Sequence, residues 1–446
     1  MAEVPEEPDV EYAPELPQGV LVKIFSGLLP RNPDCLRDLC AAASVCPSWR
    51  EAAKEPCLWR VLYVLNAPLN ARLTGPRLRN LVARSHNTLT RLELVGCPLV
   101  SEAALTLSLQ QQPRLVFVRV KDCALVTRPG LAHALCDAED FQGVVAQLND
   151  PRQSVADAQR CCLALCSLIY AMTPEDAVAL AEAQAAGVLS ALLHCVNKHT
   201  AHAGVQAACC WALGHYVNVA RLTAVHSYPP VFQALVAALK AHPLDTNVQR
   251  SALSALSNVC SSGLEGTPGV PALLDAIQHV LAALRAFPTD LIVQECGCDS
   301  LERMCDMDAS VAEAVAAAGA MGLFIKALRL DTADDAECMS AMNAIKAIAL
   351  APAALPQASA GIDAVMRALR LLQEHSNVVN VACQTLMTYL QCPATRERAF
   401  EAGANGWVAR LVGPTSRAYC EHTWSYTLLS RHLRRFRTLR HESTDE

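Results

Sequence analysis

Among 446 residues and 21 cysteines there is no Cys-x-x-Cys pair, so no zinc ribbon, RING finger or thioredoxin-type dithiol is signalled. A glycine-rich phosphate loop, His-Glu-x-x-His and Gly-x-Ser-x-Gly are missing too, which removes the usual signatures of nucleotide, zinc-peptidase and serine-hydrolase chemistry. Apolar runs are short: Cys161 to Met172 and Ala314 to Ile325 fall below the ~18–20 residues of a membrane span. Charged residues are only 18% and the net charge is −6, so nothing global calls for nucleic acid or an anionic membrane as partner. Aromatic residues make up 5% of a chain that is 52% apolar, so small aliphatic side chains must do most of the packing, as in a largely helical body. His194, His199 and His202 have no Cys or acidic neighbour at ligand spacing and read as a polar loop. Neither a metal nor a cofactor is expected.

The first segment, 1–13, is acidic and Pro-bearing, lacks the basic start and apolar stretch of a secretory signal, and reads as a disordered lead-in. Within 14–62, Leu16 and Pro17 open a helix, with Pro at an early position where its missing N–H costs nothing. Val20, Leu21, Ile24, Phe25 and Leu28 follow as one helical stripe. Leu36, Leu39, Cys40 and Ala43 suggest a second helix; a third starts near Pro47 and carries Trp49, after Val45 and Cys46 and before Leu58 and Trp59. Three short helices cannot enclose so many large apolar groups, so a partner or a larger body must complete the core.

Two longer periods follow. In 63–136, Leu89, Leu92, Leu94, Cys97 and Val100 recur with the same internal spacing as Leu115, Val118, Val120, Cys123 and Val126. That is the leucine-rich pattern, a short parallel strand returning through a helix, in two units that bridge their neighbours. In 137–412, six units end one helix at Leu148, Val196, Leu239, Leu284, Leu328 and Leu369 and begin another stripe nine residues later, at Asp157, Val205, Val248, Val293, Glu337 and Val378. Counted from those starts, position +4 is always small and +8 always Leu or Ile; Cys fills six of the twelve +4 and +5 places as a small packing residue. The step from one start to the next has the length of armadillo and HEAT repeats, roughly 40–47 residues.

In that register a groove lined by the long helices would expose positions +6 and +10: Leu163/Ser167, Trp211/His215, Ser254/Asn258, Asp299/Arg303, Asn343/Ala347 and Gln384/Thr388. The Gly/Pro-bearing stretches Ser261 to Pro271 and Ala351 to Pro356 read as loops. In 413–446, Leu433, Phe436 and Leu439 in a basic run suggest a capping helix, or a contact with an acidic face or nucleic acid.

The stretch from Glu15 to Arg60 resembles an F-box, through Leu16-Pro17, Ile24-Phe25, Leu28, the Ala-rich run before Val45-Cys46, Trp49-Arg50 and the closing Pro56 to Arg60. The later units resemble armadillo repeats in the segment Gly187 to Leu193, in Val205-Gln206 and Val248-Gln249, and in Trp211 to His215 and Ser254 to Asn258. Armadillo-type import receptors carry a regular Trp/Asn ladder; here Trp211 and Asn258 stand in different units, which disfavours that function. In order, these parts resemble Arabidillo-type F-box proteins, in a shorter chain. The resemblance implies a mainly α protein: an F-box three-helix segment, a short α/β leucine-rich bridge and a right-handed armadillo/HEAT-like solenoid. It further implies a non-catalytic substrate receptor of a Skp–cullin–F-box ubiquitin ligase, working in the cytoplasm or nucleus. Leu16, Pro17 and the helical stripe residues, with Leu39, Val45, Cys46, Trp49, Leu58 and Trp59, would dock a Skp-type adaptor and through it cullin and RING subunits, while the repeats would take a protein substrate. An N-terminal helical cap on a non-degradative repeat scaffold stays open as the alternative, and an enzyme is the third reading.

Overall fold

The computed structural model describes residues 17–28, 35–64, 69–109, 112–126, 131–132, 135–136, 140–170, 172, 177–220, 229–261, 269–328, 335–389 and 393–403. The lead-in 1–13, Leu16 and the basic run 431–440 lie outside them. The chain divides into two compact units, Met1–Val144 and Val145–Glu446. Among the described residues no single helix is long and apolar enough to cross a membrane.

The first unit begins with three short helices, α1 (Gln18–Leu28), α2 (Cys35–Val45) and α3 (Pro47–Ala52). Cys46, in extended backbone, separates the last two, and Pro47 opens α3 where no intrahelical N–H is needed. A 3₁₀ turn, Pro56–Trp59, leads into strand β1 (Val61–Val64). Helices α4 (Leu69–Arg72) and α5 (Gly75–Ala83), strand β2 (Arg91–Val95), helix α6 (Glu102–Leu109) and strand β3 (Phe117–Lys121) follow. The strands form a parallel sheet in the order β1-β2-β3, with Leu62, Leu92 and Val118 in one register and Tyr63, Glu93 and Arg119 in the next.

Leu92 pairs with Val118 and Leu94 with Val120, so the strand register is the period read from the sequence. One sheet face is apolar and buried through Leu62, Val64, Leu92, Leu94 and Val118. On the other, Arg91 lies 3.7 Å over the Phe117 ring and, with Arg119, holds the buried Glu93 carboxylate at 2.7 and 3.5 Å. A buried charge is tolerable here because it is paired on both sides. Cys97 and Cys123 stack at the same offset, the Cys97 N–H donating to Cys123 Sγ at 3.4 Å.

Helix α7 (Phe141–Leu148) spans the boundary between the two compact units. Among its described residues, the second unit contains six long helices that carry the repeat stripes, α8 (Val155–Tyr170), α11 (Ala203–Ala220), α13 (Thr246–Ser261), α15 (Leu291–Met307), α18 (Asp335–Ile348) and α20 (Ser376–Tyr389). Each starts two residues before the first stripe residue of its repeat, and every +4, +5, +8 and +11 side chain is buried. A second set, most of them shorter, alternates with them: α9 (Ala177–Ala185), α10 (Val188–Lys198), α12 (Pro229–Ala241), α14 (Val270–Ala286), α16 (Ala309–Ala317), α17 (Ala320–Ala327), α19 (Ala358–Leu371) and α21 (Pro393–Glu401). Consecutive long helices pack against one another, as do α10, α12, α14, α17 and α19, so the unit is a two-layered stack.

The sharp turns between α9 and α10 and between α16 and α17 fall at Gly187 and Gly319, whose φ of 72° and 81° is left-handed backbone that favours glycine. The stretch read as a loop at Ala351 to Pro356 is instead a 3₁₀ helix, Pro352–Gln357, because consecutive i→i+3 bonds suit a segment whose prolines have no N–H to place. Pro271 sits in the first turn of α14.

One polar device recurs. Near the start of three long helices a glutamine amide donates to two carbonyls at the end of the preceding helix: Gln206 to Val196 and His199 (2.6 and 3.1 Å), Gln249 to Leu239 and His242 (3.1 and 3.0 Å), Gln294 to Leu284 and Phe287 (both 3.0 Å). The Val196, Leu239 and Leu284 carbonyls have no intrahelical donor, so the amide is their partner, while those of His199, His242 and Phe287 also accept the N–H of His202, Asp245 and Asp290. Gln249→Leu keeps the volume and strands the Leu239 carbonyl, the His242 carbonyl keeping the Asp245 N–H; a loss of about 1–3 kcal/mol is expected in chemical denaturation.

Candidate functional site

Each unit offers one surface. In the first, Leu21 and Phe25 point inward from α1, and the Phe25 ring meets Trp49 edge-on with centroids 5.4 Å apart. Leu39 of α2 is buried, and Trp59 donates its indole N–H to the Ala53 carbonyl at 2.8 Å while Arg84 covers its ring at 4.7 Å. Of the thirteen residues expected to meet an adaptor, Leu21, Phe25, Leu39, Leu58 and Trp59 are thus enclosed by the chain itself. The expectation is corrected for these five: strand β1 and helix α3 supply the cover that was assigned to a partner. Pro17, Val20 and Val45 are exposed, the valines at 42% and 62%, and Cys46 and Trp49 are half-buried. The side chains of Ile24 and Leu28 lie outside the described residues, as does Leu16. Among the described side chains of α1 to α3, Val20 and Val45 are the large apolar groups left in water.

The second surface is the outward side of the long helices. Ten of the twelve expected groove positions are half-buried. Leu163 and Ser167 are buried instead, Ser167 donating to the Leu163 carbonyl at 2.9 Å, and are corrected to core positions. From Cys161 to Ile169 helix α8 is apolar nearly all round, and such a helix has no polar face to offer water.

Trp211 and Tyr170 both stand edge-on to the His215 ring, with centroids 4.5 and 4.9 Å away, and make an aromatic patch at one end of the stack. Asn258 donates to the Gly214 carbonyl at 3.2 Å and so ties α13 to α11. Ser254 bonds the Cys296 thiol. Further along, Asp299, Glu302, Arg303 and Asp306 mix signs; burial first, then Asp306, pushes the Glu302 carboxyl up. Lys346 donates to Asn343 at 3.1 Å and to Gln384 at 3.5 Å, and Gln384 to Asn380 at 3.5 Å. Sequence reasoning missed Glu302 and Lys346, both at position +9. Sampling only +6 and +10 left them out, although a 3.6-residue period also brings +2, +9 and +13 to the same stripe.

No catalytic geometry converges on this face among the described residues. Most buried thiols are held in their neutral form by desolvation: Cys210, Cys260, Cys305 and Cys383 are each pushed up to about 12. Buried neutral thiols of this kind pack as small apolar groups.

Residues 13–64 match the F-box-like family. No curated protein matches the chain. Among solved structures, the chain is similar to two engineered proteins from the Northeast Structural Genomics Consortium. One is 16% identical, with a TM-score of 0.38, over 66% of this chain and 98% of that one; the other is 17% identical, with a TM-score of 0.39, over 66% and 96%.

Proposed function

We propose that the protein is the substrate-recognition subunit of a Skp–cullin–F-box ubiquitin ligase. The observation that carries this reading is the F-box-like segment at residues 13–64, whose helices leave Val20 and Val45 exposed. F-box segments in general dock a Skp-type adaptor, and apolar groups set on short helices suit docking into a partner's groove. The repeated strand–helix pattern is then a short leucine-rich segment, and the six helix groups in one register are armadillo-type repeats. Their long-helix face binds the target through the Trp211/His215 patch, Ser254 and Asn258, and the polar stretch through Asp299, Arg303, Asn343, Lys346 and Gln384. The receptor transfers nothing itself; holding the target near a ubiquitin-loaded E2 raises the local concentration of its lysines.

The test is affinity capture from cells with the full chain and with a Trp211→Ala/Arg303→Ala variant. Both are expected to bring down adaptor and cullin, whereas the target is lost from the variant by about 30-fold or more, since a buried aromatic and an Arg at an interface contribute about 1–2 kcal/mol or more each. The captured target should accumulate when the protein is depleted. Unchanged target levels, with capture intact, would favour a non-degradative scaffold.

A further inference from the structure

Three thiols that the binding surfaces do not use converge in the second unit. Cys162 comes from α8, Cys195 from α10 and Cys209 from α11; Cys162 Sγ stands 3.2 Å from Cys209 Sγ and 3.7 Å from Cys195 Sγ, and the three sulfurs lie within 4.8 Å of one another. All three residues are buried, at 0%, 3% and 0% exposure.

Packing alone does not ask for this. The same three places recur at every later junction of the stack, taken from position +5 of one long helix, the residue before the final apolar position of the next short helix, and position +4 of the next long one. They hold Cys210, Ala238 and Ala252; then Leu253, Ala283 and Gly297; then Cys298, Ala327 and Ala341; then Met342, Ala368 and Ala382, all buried. Each later junction is filled by one larger side chain against two residues no bigger than alanine. The first junction alone replaces both small residues by thiols.

The sulfur spacing fits a common ligand. Two thiolates bound to one zinc-sized ion at ~2.3 Å stand about 3.8–4.0 Å apart in tetrahedral or trigonal geometry, close to the 3.7 Å side of the triangle and within reach of the 3.2 Å side after a small shift.

We propose that Cys162, Cys195 and Cys209 form a binding site for a single thiophilic d¹⁰ cation, Zn²⁺ or Cu⁺. Soft thiolate sets select these ions. Loading replaces S–H bonds by metal–sulfur bonds, so protons leave as the cation enters. Of the histidines set aside as a polar loop, His199 follows Cys195 by one turn, and its ring nitrogens are not among the three convergent donors.

The test uses the full chain, reduced and refolded without oxygen in the presence of Co²⁺ as the probe. One Co²⁺ per chain is expected, with a thiolate-to-cobalt charge-transfer band, release of protons, and displacement by Zn²⁺ or Cu⁺. Cys195→Ala/Cys209→Ala recreates the Cys210, Ala238, Ala252 set of the next junction, so it is expected to fold as judged by circular dichroism and to lose the band. Cys195→Ser is the second variant should that one aggregate, and it should lose the band as well. Cys166→Ser, at a buried thiol of α8 outside the triangle, should keep it. A folded wild-type chain without the band, or a band undiminished in the triangle variants, overturns the proposal.

Discussion

Val20→Glu/Val45→Glu should abolish capture of a Skp-type adaptor while leaving the protein folded. Both side chains stand in water on the three-helix segment, so charge at either place costs the isolated chain little. At an interface the same change buries two carboxylates against apolar groups, and two anchors of about 2 kcal/mol each correspond to roughly a 10³-fold weaker complex. Binding measured by calorimetry with purified adaptor checks the size, and an unchanged melting curve checks that folding is intact. Phe25→Ala is the wrong probe for this purpose: Phe25 is 1% exposed against Trp49, and its loss would cost about 3–5 kcal/mol of the segment's own packing. Equal adaptor affinity in the Val20/Val45 variant would remove the ligase-receptor reading and leave these helices as part of the fold.

The second large effect is structural, and its sign is decided by packing. Gly214→Ala lies within helix α11, where propensity alone would stabilise by about 1 kcal/mol. A β-carbon there would stand 2.8 Å from both the Cα and the Cβ of Ala255 on α13. The obstacle is backbone, so the two long helices must separate, and the Asn258 bond to the Gly214 carbonyl at 3.2 Å is strained with them. Overpacking of this kind costs about 1–3 kcal/mol, which outweighs the propensity gain. Chemical denaturation should therefore show net destabilisation, and hydrogen exchange should rise in α11 and α13 first, because repeat stacks open at their weakened interface. Gly19→Ala on α1 is the control, since nothing lies within 4 Å of its added β-carbon. It should be neutral or stabilising. Destabilisation by Gly19→Ala equal to that by Gly214→Ala would show that the close approach is not what glycine serves at Gly214.

By itself the sequence determined whatever repeats locally. The six long helices start in one register because their stripes at +4, +5, +8 and +11 follow the helical period, and β2 pairs with β3 at the offset of the Leu/Val/Cys pattern they share. Strand β1 was not legible: it is short, Val61–Val64, it stands further along the chain from its partner β2 than β2 does from β3, and it carries no copy of the pattern. Trp59, read as a partner contact, belongs to the interior because the Ala53 carbonyl takes its indole N–H and Arg84 covers its ring. Only the tertiary structure could decide which of two apolar faces a short helix turns inward, since periodicity marks a stripe without saying what covers it. The thiol triangle is the clearest case. Cys162, Cys195 and Cys209 sit on three separate helices and share no local motif. Their sulfurs meet because three helices from two repeats pack at one junction, a proximity that depends on helix crossing and not on sequence spacing.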